Sequence, residues 1–269
     1  MSDFPHVRAR FARAVDRYDA LADVQRQVGA ALLAGLPATA VRGRVLDGGC
    51  GTGHGLELLS RRWPGIDLVA LDFAYPMVAR ARRRGEQGSR RGAAAGLCAD
   101  LQALPLADGC LDGLWSNLAL QWCDPARFTA EAARVLRPGG WLAVGTLGPG
   151  TFVELRQSFA TVDRYRHTIP FLEPDALGDI CRRAGFSVVT LQRRTRVLHY
   201  ADLGSLLAAV RELGASRVTG ADRRPGLMGR TAWKSFVERY ESLRTAEGLP
   251  LSYDTVCLHA LRIAERMPR

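Results

Sequence analysis

Apolar runs of strand length alternate with amphipathic stretches of helix length through the first half of the chain. That alternation predicts a parallel α/β sheet, in which helices carry the chain back between successive strands. Helical spacing covers Val7 to Val15 and Tyr18 to Gly35. Arg44 to Asp47 (RVLD) predicts a buried strand, and the helix after Gly53 should end near Trp63-Pro64. Asp67 to Asp72 predicts a second strand, Pro76 to about Arg84 a helix, Ala95 to Ala99 a third strand and Leu111 to Ser116 a fourth. Pro125 suits the first turn of a helix that runs to Leu136, where RPGG should stop it. Trp141 to Leu147 predicts a fifth strand.

Beyond that point the rhythm breaks. Two helix-rich stretches, Gly150 to Ala184 and Asp202 to about Glu247, accompany two strand-like segments, Phe186 to Tyr200 and Tyr253 to Ile263. The expected organisation is a helical cover over 1–38, a core over 39–150, lid helices over 151–184, and completion of the sheet over 185–269 with a helical insert at about 202–250.

With 269 residues, 47% hydrophobic and 24% charged, the chain can bury a large core, which excludes disorder as its main state. No stretch approaches the ~18 uninterrupted apolar residues of a spanning helix. Met1 to Ala20 places arginines and aspartates where a secretory signal would be apolar, so a cytoplasmic location is expected. Cys50, Cys98, Cys110, Cys123, Cys181 and Cys257 show no CxxC spacing and lie in apolar-looking segments. They predict buried or half-buried free thiols, with no disulfide framework and no metal site.

Lys+Arg outnumber Asp+Glu by 37 to 27, giving a net charge of +10, and Lys234 is the only lysine. That balance favours an acidic partner, be it nucleic acid, an acidic protein or an anionic small molecule. Genome composition is an equally good reason for the preference for arginine. The most basic run, Arg80 to Arg91, links a helix to the next parallel strand. It should be a solvated loop at the strands' amino ends, opposite the usual ligand edge.

Candidate chemistry begins at Val45 to Gly53, VLDGGCGTG, where a buried strand ends in an acid and runs through glycines into a helix. Glycine admits positive φ and close approach of backbone to a ligand. Gly49 and Gly51 resemble the start of GxGxxG, but the next glycine, Gly53, comes two residues later rather than three. Asp72, 19 residues past Gly53 at the end of the second strand, suits the acid that takes ribose hydroxyls. A nucleoside ligand fits both a dinucleotide and a non-dinucleotide reading.

The set DxGCGTG, ALD at 70–72 and CAD at 98–100 resembles the class I S-adenosylmethionine-dependent methyltransferases. The resemblance implies a Rossmann-like α/β fold with a mainly parallel sheet, an antiparallel last strand, helices on both faces and a helical lid. It also implies that Asp47 orders the glycine turn and meets the methionyl ammonium. Asp72 would take the ribose hydroxyls, Asp100 with Leu101 the adenine edge, and Asn117 the methionine part. Gly49, Cys50, Gly51, Gly53, Phe73 and Met77 complete the implied cofactor set, with Tyr18 closing over the methionine tail. Carboxylate acceptors suit a cofactor that carries an ammonium and hydroxyls, whereas a pyrophosphate would be repelled by them.

Longer segments carry a closer likeness. FARAVDRYDALADVQRQV at 11–28, WSNLALQWC at 115–123, RVLRPGGWLAVGTLGPGTFVELR at 134–156, GASRVTG at 214–220 and GLMGR at 226–230 resemble the malonyl-[acyl-carrier protein] O-methyltransferases of biotin synthesis. Ala74, Tyr75 and the His54-Gly55 entry to the first helix depart from that family's usual pattern. The resemblance implies a malonyl thioester on the phosphopantetheine arm of an acidic carrier protein as acceptor, which a cation-rich enzyme would steer in. Arg156 is the candidate anchor for the substrate carboxylate, and Gln121, Trp122 and His167 are candidates for the acyl pocket. A structural role competes for Arg156, Trp122 and His167. Arg217, Arg223, Arg224 and Arg230 are the candidate carrier-docking set. An aconitate- or quinone-type methyltransferase, a nucleic-acid methyltransferase and a non-catalytic cofactor-binding protein are the competing readings. SNLALQW in place of an Asn/Asp-Pro-Pro-Tyr motif argues against nucleic acid.

Overall fold

The computed structural model describes residues 8, 15, 23–36, 43–88, 94–213, 224, 226 and 228–264, with the backbone alone at 86–88 and 212. The chain divides into two compact units, one of residues 1–146, 172–193 and 256–269, the other of 147–171 and 194–255.

The first unit is built around β1 (Arg44–Gly48), β2 (Asp67–Asp72), β3 (Ala95–Cys98) and β4 (Leu111–Asn117), with β5 (Leu136–Leu147) beside β4. The sheet runs β3-β2-β1-β4-β5-β7-β6, with β6 at Phe186–Tyr200 and β7 at Leu249–Arg262. The pairings from β3 to β5 are all parallel, and antiparallel strands complete the β7–β6 end. β1 pairs with β2 on one side and β4 on the other, so the strand order reverses there, the place where open α/β sheets form a ligand crevice.

The helices α1 (Asp23–Ala34), α2 (His54–Arg62), α3 (Tyr75–Gly88) and α4 (Pro125–Val135) cover the sheet. Asp124 caps α4 by accepting from Ala126 N–H at 2.8 Å and Arg127 N–H at 3.1 Å, while Pro125 opens the first turn. Phe128, Ala132 and Val135 recur at helical spacing on the buried face and pack with Leu114, Leu142 and Val144 of the central strands.

Several boundaries differ from expectation. Arg80 to Gly88 is the end of α3 rather than a loop: Val78 and Ala81 still pack inward, Arg84 pairs with Glu57 of α2 at 3.2 Å, and Arg80, Arg82 and Arg83 face water. RPGG lies within β5, which begins directly where α4 stops, with residues 137–139 exposed at its start. β7 starts at Leu249, four residues before the expected Tyr253. Cys98, predicted to be covered, is exposed at the end of the short β3.

α6 (Pro174–Arg183) belongs to the first unit and packs against α4, so the stretch foreseen as lid helices divides at residue 171/172. The second unit contains α5 (Val153–Ala160), α7 (Leu203–Glu212) and α8 (Arg230–Glu241). Its centre is a stack of rings, with Phe159 4.0 Å from Phe236 at 11° and 3.7 Å from the His167 imidazole at 7°. Among the described residues no helix is long and apolar enough to cross a membrane.

Candidate active site

The glycine turn leaves β1 at the strand's carboxyl end. Gly49 N–H and Cys50 N–H both donate to Leu71 O of β2, at 2.8 and 2.9 Å, which curls the turn over the neighbouring strand. Gly49, Gly51 and Gly53 take φ of 74°, 51° and 92°. At Gly53 the reason for glycine is packing: a Cβ there would lie 2.9 Å from Ala81 Cα of α3.

Two hollows open beside this turn, and Gly49, Gly51 and Asn117 line both. The first also takes Asp72, Phe73, Asp100, Leu101 and Trp122. The second takes Asp47, Cys50, His54, Gly55 and Trp115, with Gln25, Arg26 and Arg84 around them.

Asp72, 5% exposed, accepts from Gly51 N–H at 3.1 Å and Ala74 N–H at 2.9 Å. The acid of the second strand therefore orders the glycine turn, the role expected of Asp47. Burial pushes the Asp72 carboxyl up to about 6, against the pull of the Ala74, Gly51 and Phe73 N–H groups. Asp47 is 2% exposed, and its Oδ2 has no hydrogen-bond partner. Burial, and after it the neighbouring Asp72 charge, push Asp47 up to about 7, while the Leu56 N–H pulls it down. Trp115 Nε1 is also buried with no partner. A buried acceptor and a buried donor without protein partners in one hollow are groups that a ligand with complementary atoms would satisfy, each worth about 1–3 kcal/mol.

Asp100 sits half-buried past β3, its Oδ1 accepting from Gln102 N–H at 2.9 Å. Asn117 donates from Nδ2 to Gln25 O at 2.9 Å, which ties α1 to the crevice, and its Oδ1 is buried with no partner. Trp122 lines the first hollow beside Asp100 and Leu101. Gln121 lines neither hollow; its Nε2 donates to Leu118 O at 2.7 Å. Met77, 1% exposed, and Gly53 line neither hollow; Gly53 packs against Ala81 of α3 beneath the turn. Tyr18, Arg217 and Arg223 lie outside the described residues.

The second unit holds its own cavity of about 590 Å³, lined by Arg156, Phe159, Asp163, Arg164, Arg166 and His167 among others. Arg156 Nη2 donates to Pro149 O at 2.6 Å and Nη1 to Thr151 O, which pins the guanidinium under the GPGT loop. His167 Nε2 lies 2.9 Å from Asp163 Oδ1, and Arg224 Nη1 lies 2.6 Å from Asp163 Oδ2. Arg224, of the docking set, thus has its charge partnered by the half-buried Asp163 carboxylate. Arg230 remains exposed.

Sequence reasoning missed Gln25, His54 and Trp115. Trp115 lies inside the WSNLALQWC segment, and an indole next to Asn117 at the end of a fully buried strand was an available signal. Among the described residues no group of three metal-ligating side chains occurs.

Comparison with known proteins gives a consistent family. The family described as "Methyltransferase domain" matches residues 46–144. The malonyl-[acyl-carrier protein] O-methyltransferase of Herminiimonas arsenicoxydans is 42% identical over 254 residues, covering 93% of each chain. The biotin biosynthesis bifunctional protein BioHC of Cellvibrio japonicus is 37% identical over 257 residues, 95% of this chain and 50% of that protein. A solved methyltransferase in complex with the Haloferax volcanii Trm112 activator superposes with a TM-score of 0.61 at 22% identity, over 97% of this chain and all of that one.

Proposed function

The chain belongs to the malonyl-[acyl-carrier protein] O-methyltransferases, and from that membership we propose that it methylates the free carboxylate of a malonyl thioester carried by an acidic carrier protein. The reaction is an S-adenosylmethionine-dependent carboxyl O-methylation in biotin synthesis. The observation that supports the donor site best is the buried Asp47 Oδ2 without a partner, beside Asp72 and the glycine turn.

S-Adenosylmethionine, when bound, supplies an electrophilic sulfonium methyl. The residues present suit it: Asp47 would receive the ammonium, Asp72 the ribose hydroxyls, and Asp100 with Leu101 the adenine edge. Phe73 and Trp122 offer apolar faces in the same hollow. Gly49, Cys50 and Gly51 let the backbone approach closely.

A carboxylic acid of pKa ~4 is already ionised at neutral pH, so the protein needs no general base. Its contribution is orientation of the attacking oxygen and exclusion of water. We assign Arg156 to hold one oxygen of the malonyl carboxylate. Its two terminal nitrogens already donate to Pro149 O and Thr151 O, so the fork is partly engaged and leaves the other carboxylate oxygen free to attack. His167 stands in the wall of the same cavity, fixed by Asp163 and by the Phe159 ring.

Incubation with methyl-labelled S-adenosylmethionine and malonyl carrier protein tests the reading. A base-labile methyl ester on the thioester is expected. Tight cofactor binding with no label on any malonyl thioester would overturn it.

A further inference from the structure

We propose that the cavity of the second unit also binds the phosphate of the phosphopantetheine arm, with Arg164 as its principal contact. The inference rests on the malonyl thioester reading above and adds a second recognition point to it.

The cavity lining is two-sided. Phe159, Ile169 and Phe171 are apolar, while three arginines, 156, 164 and 166, stand against a single acid. That acid, Asp163, already accepts from Tyr165 N–H at 3.0 Å and faces His167 and Arg224 at 2.9 and 2.6 Å. It therefore has little left with which to neutralise Arg164. A site of this composition suits a long ligand with an anion at each end and a neutral, partly apolar stretch between. Cavities of about 300–1,000 Å³ hold ligands of such size, and this one measures about 590 Å³.

Burial sorts the ends. Arg156 is half-buried and pinned to backbone carbonyls, whereas Arg164 and Arg166 are exposed. Arg164 lies over the Tyr165 ring at 5.7 Å, a contact that restricts the side chain without engaging its N–H donors. The inner cation is matched to a carboxylate that must be held still for chemistry. Arg164 at the outer end is matched to a phosphodiester, which arginine recognises through paired N–H donors and which takes no part in the reaction.

The test compares three malonyl thioesters on wild type, Arg164→Gln and Arg164→Lys: carrier-bound, coenzyme A-bound, and malonyl-pantetheine, which lacks the phosphate. Loss of one charge-assisted contact should raise KM about ten-fold for the two phosphate-bearing substrates in R164Q. KM for malonyl-pantetheine and every kcat should stay within about two-fold, and R164K should recover part of the loss. Free 4′-phosphopantetheine, titrated by calorimetry, should bind wild type and lose about ten-fold in R164Q, a readout that needs no turnover. An equal KM rise on all three substrates, a rise confined to the carrier-bound one, or unchanged 4′-phosphopantetheine binding would each overturn the proposal. Absence of methylation of any thioester by wild type would defeat the parent reading alone, because the calorimetric arm still decides this one.

Discussion

Asp47 sets a titration that is measurable at a single residue. Its folded-state carboxyl is raised to about 7 by burial, well above its ordinary value of 3.8. A carboxyl raised on folding keeps its proton longer in the native state, so the ligand-free protein should lose stability as pH climbs from about 4 to about 7 and then level off. Asp72, raised to about 6, acts in the same direction over a narrower window. Thermal unfolding across that range should show the slope reduced, not abolished, in Asp47→Asn. Binding of S-adenosylhomocysteine, which keeps the ammonium, should tighten through pH 6 to 8 in wild type. In D47N it should be at least ~10-fold weaker and nearly flat with pH, because the acceptor charge is gone. Gly53→Ala should separate packing from binding: with φ at 92° and Ala81 Cα at 2.9 Å from the new Cβ, it should destabilise by about 1–3 kcal/mol. Protein that still folds should keep wild-type cofactor affinity.

At the scale of elements, the cap of α4 gives the most direct check. Asp124→Ala removes the acceptor for two first-turn N–H groups and should cost about 1 kcal/mol in chemical denaturation. The same region shows why much of the fold was legible. Asp67–Asp72 begins and ends where its apolar pattern does, because a buried strand bounded by charge or glycine has few alternative registers. RPGG was harder to place. Pro and Gly announce a helix end, but the strand that follows starts with exposed residues, which carry no apolar signature. Arg80 to Gly88 misled for the opposite reason: a helix with one narrow buried seam and many arginines reads as a solvated loop. In the crevice, the acids at strand ends were readable from their spacing. Which acid holds the turn was not, since Asp47 and Asp72 differ only in which backbone N–H groups three-dimensional folding brings to them. The Asp163 pairing with Arg224, 61 residues apart, left no trace in local pattern at all.

For the molecule as a whole, a net charge of +10 combined with the acidic carrier proposed above predicts strong screening by salt. Raising ionic strength from 0.05 to 0.5 M, two illustrative settings of about 14 and 4 Å screening length, should raise KM for malonyl carrier protein several-fold more than for malonyl-pantetheine. Arg230→Glu, exposed at the start of α8, should do the same at low salt without altering kcat. The division of the chain carries one last consequence. The polypeptide passes from one unit to the other at 146/147, 171/172, 193/194 and 255/256. Neither unit is a contiguous stretch, so exchanging acceptor preference between relatives by transplantation calls for grafting 147–171 and 194–255 together. A graft of either segment alone should yield aggregated or protease-sensitive protein, and the double graft a soluble one.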